Sequence, residues 1–314
     1  MSATSPASQQ RSPPGAPTLC LGDAVVELIC ERPVDLVSDA DAFVPHFGGA
    51  VATVAVVAAR RGAHVALAGG AGDDAWGRWL RDRLRRERVG LSRFELVAGL
   101  RTTVAIVAVD SNGDPGGCPD GEETAVLAPA LGDRVEQAVG ASAAVFITSA
   151  TLVDVGEREV TMAAREVALS LGRPVVFAPN LVPRRWRSRA EAAAAANACV
   201  PGALLVCAIA GDAELMTGEE DPERGALALL KAGAQMVVIT LGRCDGAILR
   251  GSLRLDVDGV PATVLSTIGA RDVLTGILLA RLATSAFYPA AVAASLPEAV
   301  AQAARACERW GALE

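Results

Sequence analysis

Apolar positions along this chain fall into two kinds of run that alternate. Short, almost entirely apolar runs such as "HVALAGG", "AAVFITSA", "RPVVFAPN", "LLVCAIA" and "AQMVVITLG" predict strands. Longer runs with apolar residues three and four apart predict helices. Among them are "AVATVAVVAARRG", closed by Gly62 as a C-cap candidate, "DAWGRWLRDRLRRERVG", "EREVTMAAREVALSLG", "RAEAAAAANACV" and "DPERGALALLKAG". The last two helices are "RDVLTGILLARLATS" and "LPEAVAQAARACERWGA". Strands without a polar face need cover on both sides. The alternation therefore predicts an α/β fold, a central and mostly parallel sheet flanked by helices. Such sheets bind ligands at the carboxyl ends of their strands.

Two stretches break the rhythm. "CERPVDLVSDADAFVPHFGG" and "LSRFELVAGLRTTVAIVAV" are strand-like with no helix inside them. They predict a small antiparallel flap over the main sheet, with lid segments at about 30–47 and 92–130. "TLCLGDAVVEL" predicts a strand with a turn, and "TVAIVAVDSNGD" a strand entering a turn. The opening "MSATSPASQQRSPPGAP" is rich in Ser, Pro and Gln and has no apolar centre, so it is expected to be a disordered tail over residues 1–17 rather than a secretory leader. The folded domain is then expected over residues 18–314.

Composition narrows the partners. With 314 residues, 51% of them hydrophobic, the chain is long enough for one large core. No apolar stretch reaches the roughly 18 residues of a membrane span. The net charge of −7 and the lack of a basic block argue against nucleic acid. The seven cysteines (Cys20, Cys30, Cys118, Cys199, Cys207, Cys244 and Cys307) form no CxxC pair, and His46 and His64 lie away from any cysteine pair, which disfavours a zinc site. Reduced, buried thiols in a cytoplasmic protein are expected.

Five stretches carry candidate chemistry, and each also has a purely structural explanation. Gly48 and Gly49 precede a helix, and "GGAGDDAWG" follows a strand. These glycines suit close approach of a ligand, or simply tight turns. Asn180 ends a strand, where its amide suits a substrate or a turn. Glu214, in "GDAELMTG", suits a hydrated magnesium ion or a helix dipole. Gly242 and Gly246 bracket "TLGRCDG", an exposed nucleotide-facing turn or a hairpin. Asp272, in "STIGARDVLTG", opens an apolar helix as a general base or as a dipole-favoured residue.

The order of these features resembles the PfkB/ribokinase-like carbohydrate kinase family over essentially the whole chain after residue 18, most closely its fructokinase branch. "GGAVATVAVVAARRGA", "GGAGDDAWGRWL", "FAPNLVPRRW" and "STIGARDVLTG" are similar to that branch's successive motifs. The resemblance implies a Rossmann-like ribokinase fold with a small β-sheet lid. The implied reaction is transfer of the γ-phosphoryl group of ATP, with Mg2+, to a hydroxyl of a small sugar substrate. The resemblance also implies a homodimer through the lid.

Residue by residue, the resemblance makes Asp272 the base, and the backbone of Gly269, Ala270, Arg271 and Asp272 the anion hole. Gly48, Gly49 and Asn180 take sugar-site positions, and Thr240, Gly242, Gly246 and Gly269 nucleotide-side ones. Glu214 takes the magnesium-linked position. Departures cluster in the cleft. Ser266 and Arg271 replace the signature's opening Asp and central Gly, and Thr53 replaces the Asn of GGAxAN. Ala178 and Val182 replace polar residues around Asn180, Gly211 replaces an Asn or Ser, and Glu27 stands where an Asp is expected. Two readings follow: a carbohydrate kinase with a changed acceptor, or a catalytically impaired relative that binds nucleotide or sugar or serves as an assembly partner. On the second, Arg271 is expected to disturb the anion hole, where positive φ would favour glycine.

Overall fold

The computed structural model describes residues 13–118 and 125–313, the side chain of Cys118 excepted. In chain order the first half runs β1 (Thr18–Leu21), β2 (Val25–Ile29), β3 (Val44–Gly48), α1 (Ala50–Arg60), β4 (Val65–Gly72), α2 (Ala75–Arg86), β5 (Gly90–Val97), β6 (Val104–Val109) and β7 (Pro115–Cys118). Then follow α3 (Leu127–Leu131), α4 (Val135–Gly140), β8 (Ala144–Thr148), α5 (Val155–Ser170), β9 (Val175–Ala178), α6 (Arg189–Asn197), β10 (Leu205–Ile209) and α7 (Ala210–Thr217). The chain closes with α8 (Pro222–Lys231), β11 (Met236–Thr240), β12 (Gly246–Gly251), β13 (Leu255–Asp258), α9 (Ala270–Thr284) and α10 (Ala290–Ala306).

Nine strands form the main sheet in the order β13-β12-β11-β10-β9-β8-β1-β4-β5. The pairings from β11 through β5 are parallel, and β12 and β13 add an antiparallel edge. Both faces are apolar, as the unbroken hydrophobic runs require. Along β9, Val175 and Phe177 enter one core with α3 to α8, while Val176 and Ala178 enter the other with α1, α2, α9 and α10. Helix α1 is buried almost all round: Val51, Ala52, Val54, Ala55, Val56 and Ala58 are each at most 1% exposed. It lies directly against α9, where a methyl group on Gly276 would come 2.7 Å from Val57 Cβ. This contact holds α1 and α9 side by side.

The small sheet has the order β3-β2-β6-β7. It differs from the expected flap in two respects. First, it is mixed rather than antiparallel, since β2 and β6 run parallel. The "strand with a turn" of "TLCLGDAVVEL" is in fact two strands in two sheets, parted by Gly22, Asp23 and Ala24. Second, residues 90–97 pair in parallel with β4 at the edge of the main sheet. The helix α2 between them makes that crossover, the ordinary route to a parallel partner. Of the first expected lid segment, only Val44–Gly48 is strand, preceded by a 3-10 turn at Val37–Asp39.

Residues 119–124 of the second expected lid segment, and residues 1–12 of the expected tail, lie outside the described residues. Residues 13–17 are held in place: the Pro17 carbonyl accepts from Ala143 N–H at 2.8 Å, and the Gly15 carbonyl lies 2.5 Å from His64 Nδ1. Among the described residues no helix is long and apolar enough to cross a membrane.

Candidate active site

Every parallel strand of the main sheet delivers its next residues to one edge, and the candidate residues gather there. Asp272 sits in the first turn of α9. That helix starts from Gly269, whose backbone is left-handed (φ 73°, ψ −4°), and no side chain caps it. The helix therefore presents unsatisfied N–H groups and its positive dipole end to the cleft. A cavity of about 460 Å³ opens over this turn, lined by Gly269, Ala270, Arg271 and Asp272 on one side and by Thr240, Leu241, Gly242 and Arg243 on the other. Burial raises the Asp272 carboxyl above its usual range, and the Arg271 guanidinium opposes that shift.

Across from Asp272, Glu27 on β2 presses its carboxyl against the start of α1. A methyl group on Gly48 would come 2.4 Å from the Glu27 Cδ, so glycine is what lets this carboxyl lie there. Burial and the neighbouring Asp272 carboxylate push Glu27 up to about 7, against a backbone hydrogen bond from Gly49. Its Oε2 is buried and bonded to nothing among the described residues. Gly49 (φ 94°) is the N-cap of α1. Thr53 is fully buried in that helix, and its N–H donates to the Gly49 carbonyl at 2.8 Å.

Arg271 corrects the expectation of a disturbed anion hole. It is the second residue of α9 with helical backbone, and the positive φ of this turn falls on Gly269 instead. The start of α9 is therefore intact. The side chain turns inward: Nη1 donates to Asp212 Oδ2 at 3.2 Å, Nη2 donates to Asn180 Oδ1, and Nε lies 3.8 Å from Asp272 Oδ1. Asp212, two residues before Glu214 on α7, is nearly inaccessible at 3% exposure and also accepts from Leu181 N–H at 3.2 Å. Burial raises its carboxyl, and Arg271 opposes the shift. Asn180 holds a left-handed backbone (φ 47°), a conformation that Asn adopts more readily than most non-glycine residues.

Other candidates lie apart from the cavity. Gly246 begins β12 opposite Asp258, within the hairpin, which is its structural explanation. Glu214 is exposed on α7, one helical turn beyond the cavity-lining Ala210 and so on the same face. In "GGAGDDAWG", Asp74 caps α2 by accepting Gly77 N–H at 2.9 Å and also accepts Thr102 N–H at 2.8 Å, a structural role. Among the described residues no group of three or more His, Cys, Asp or Glu side chains gathers to hold a metal ion. A magnesium ion held mainly by nucleotide phosphates and water, with one outer carboxylate such as Glu214, fits that donor set.

Sequence reasoning missed three residues. Asp212 looks like any acidic residue in a first helical turn, and its partner Arg271 is 59 positions away. Asp23 lies in the turn between β1 and β2 with the Arg185 guanidinium nearby, and burial raises its carboxyl despite that cation. Arg243 reaches out of the turn after β11 to the β6–β7 hairpin, donating to the Asn112 carbonyl at 2.6 Å and to Asp114 Oδ2 at 2.9 Å.

Comparison with known proteins gives one answer. Fructokinases of Klebsiella pneumoniae and Salmonella typhimurium are 30% and 27% identical, each over 266 residues that cover 84% of this chain and 83% and 84% of the relative. The crystal structure of fructokinase from Vibrio cholerae in its fructose, ADP and calcium ion bound form superposes with a TM-score of 0.80 at 26% identity, covering 95% of this chain and 94% of that one. A fructokinase from Xylella fastidiosa with bound ATP shares the fold at a TM-score of 0.78 and 22% identity, over 94% of this chain and 93% of that one. Residues 18–312 match the pfkB family of carbohydrate kinases, and the chain belongs to that family.

Proposed function

We propose that this carbohydrate kinase transfers the γ-phosphoryl group of ATP to a hydroxyl of a small sugar, with Asp272 as general base. The observation that carries this reading is the position of Asp272. It lies in the uncapped first turn of α9, at the floor of the cavity, with the Glu27 carboxyl close enough to be perturbed by its charge.

The chemistry follows from that position. The sugar hydroxyl gives its proton to Asp272 as its oxygen attacks the γ-phosphorus, and the bond to the β-phosphate oxygen breaks to release ADP. A carboxyl raised by burial is a stronger proton acceptor than an exposed one once it is ionised. The N–H groups opening α9 face the transferred phosphoryl group, and no solvent has to reorganise to supply them. Magnesium, arriving with the nucleotide, supplies charge neutralisation on the phosphates.

Glu27, Gly48 and Gly49 form the acceptor side, where the unpaired Glu27 Oε2 is free for a sugar hydroxyl. The turn Thr240–Arg243 forms the nucleotide side. Arg243 and the Thr267 N–H, which donates to the Gly113 carbonyl at 2.8 Å, hold the tip of the β6–β7 hairpin against that turn and the loop leading into α9. Asp114 and Pro115 of that tip line the cavity, and in this reading the hairpin acts as a lid that excludes water. The test is ADP release from magnesium and ATP in the presence of a panel of ketoses, aldoses and nucleosides. Sugar-dependent ADP release supports the reading, and ADP release indifferent to every acceptor contradicts it.

A further inference from the structure

One donor in the floor of the cleft is left over. A guanidinium carries its N–H groups in a rigid fork. In Arg271 each end of the fork has a partner: Nη1 donates to Asp212 Oδ2 at 3.2 Å, and Nη2 donates to Asn180 Oδ1. Nε is buried and has no hydrogen-bond partner among the described residues. The carboxylate beside it is that of Asp272, with Oδ1 3.8 Å from Nε. That separation is within ion-pair range and just outside hydrogen-bond range. Burying a charged donor without a partner is costly, so this orphan calls for an acceptor.

We propose that Arg271 is a positioning residue for the general base: pinned by Asp212 and Asn180, it donates from Nε to Asp272 Oδ1 when the acceptor sugar binds and leaves Oδ2 aimed at the sugar hydroxyl. This rests on the assignment of Asp272 as the base. The pin is fixed at both points. Asp212 is 3% exposed and is itself held by the Leu181 N–H at 3.2 Å. Asn180 follows β9, and its carbonyl accepts from the Ser149 hydroxyl at 3.1 Å. Neither lines the cavity, whereas Arg271 and Asp272 both do. The guanidinium therefore ties two anchors outside the cavity to the carboxylate that faces it. Arg271 stands where the motif this stretch resembles carries glycine, which has no side chain to serve in this way.

The consequence follows from what a base needs. Catalytic hydrogen bonds are often long in a free enzyme and tighten in the complex with substrate. With Oδ1 engaged, the carboxylate is held against rotation, and the proton leaving the sugar hydroxyl ends on Oδ2. The charged groups that act on Asp272 are Arg271 on its own helix and Glu27 from β2, while Arg243 lies on the opposite wall of the cavity. Burial raises the Asp272 carboxyl and Arg271 opposes that rise, so the same contact helps to keep the base ionised.

The experiment compares the whole parent protein with Arg271→Lys and with Arg271→Met/Asp212→Asn, which strands no charge. Rates with ATP, magnesium and the sugar that the parent uses give kcat and KM, and calorimetry gives ADP affinity. The expected result for the double variant is a kcat lowered about tenfold or more, with sugar KM and ADP affinity within about twofold of the parent. The acidic limb of its kcat should move to higher pH, because the cation beside the base is gone. Arg271→Lys keeps the cation and loses the fork, so it should restore the acidic limb and leave kcat low. A kcat within about twofold of the parent in either variant, or a loss confined to KM or ADP affinity, overturns the proposal. Parent protein with no sugar-dependent turnover overturns the kinase reading instead. Carbon NMR of the Asp272 carboxyl in parent and double variant then still scores the contact: a titration moved to higher pH in the variant supports it, and an unmoved one overturns it.

Discussion

Replacing Arg271 with methionine, an unbranched apolar side chain, removes the cation and keeps much of the side-chain bulk. The guanidinium now donates to Asp212 and Asn180, and the Asp212 side chain is only 4% exposed. Removing one partner of a buried pair costs about 3–5 kcal/mol when the other charge is stranded. Here the cost is smaller, because Asp212 keeps its Leu181 N–H and can take up a proton. A loss of about 2 kcal/mol follows, or a Tm lower by about 3 °C for a chain of this size. The loss depends on pH with a definite sign. The native Asp212 carboxyl is already raised by burial, so Arg271→Met raises it further, and the native state holds a proton that the unfolded state has released. Stability of the variant then falls as pH rises through that window, and the defect is larger at pH 8 than at pH 5. Denaturant unfolding of parent, Arg271→Met and Arg271→Met/Asp212→Asn at both pH values is the assay. The double variant, with no stranded charge, should recover most of the loss. Asp272 also loses the cation that opposes its raised carboxyl, so the acidic limb of kcat/KM should move to higher pH. A loss below about 0.5 kcal/mol at pH 8, or an equal loss at both pH values, would refute the buried ion-pair reasoning.

Two further substitutions probe the acceptor side. Glu27 is raised to about 7, so the native state holds an extra proton between the normal carboxyl range and pH 7, and stability drains away across that interval as pH rises. Glu27→Gln should flatten this slope in Tm measurements between pH 5 and pH 7.5, and an unchanged slope would show that Glu27 is not the titrating group. Gly48→Ala places a methyl group 2.4 Å from the Glu27 Cδ and should swing that carboxyl aside. Sugar KM should rise about tenfold while ADP affinity is unchanged, and an unchanged sugar KM would remove Glu27 from the acceptor site.

The main sheet was legible in the sequence because its strands are apolar on both faces and its helices carry their own caps. Asp74, Asp154, Ser188 and Asp221 all accept from N–H groups in the first turn of their helices. The small sheet was legible only as an interruption. No local pattern says that Val25–Ile29 leaves the strand before it, or that β5 pairs with β4, because those choices are made by partners tens of residues away. The site shows the same division. Asp272, Gly48 and Gly49 follow from helix starts that can be seen in the chain. The inward turn of Arg271 cannot, because it depends on Asp212 and Asn180 being delivered by two other strands to the same sheet edge. Read as an isolated substitution, Arg271 looked like damage; with its partners present, it belongs to the floor of the cleft.

The central claim, that Asp272 removes a proton from a sugar hydroxyl during transfer from ATP, meets its most direct test in Asp272→Asn. Phosphorus NMR follows conversion of ATP to ADP and sugar phosphate by parent and variant, with whichever acceptor the parent uses, and calorimetry measures ADP binding by both. The account predicts a stoichiometric sugar phosphate from the parent and a turnover about 10²–10⁴-fold lower in the variant, with ADP affinity nearly unchanged. A variant that turns over within a few-fold of the parent would contradict it.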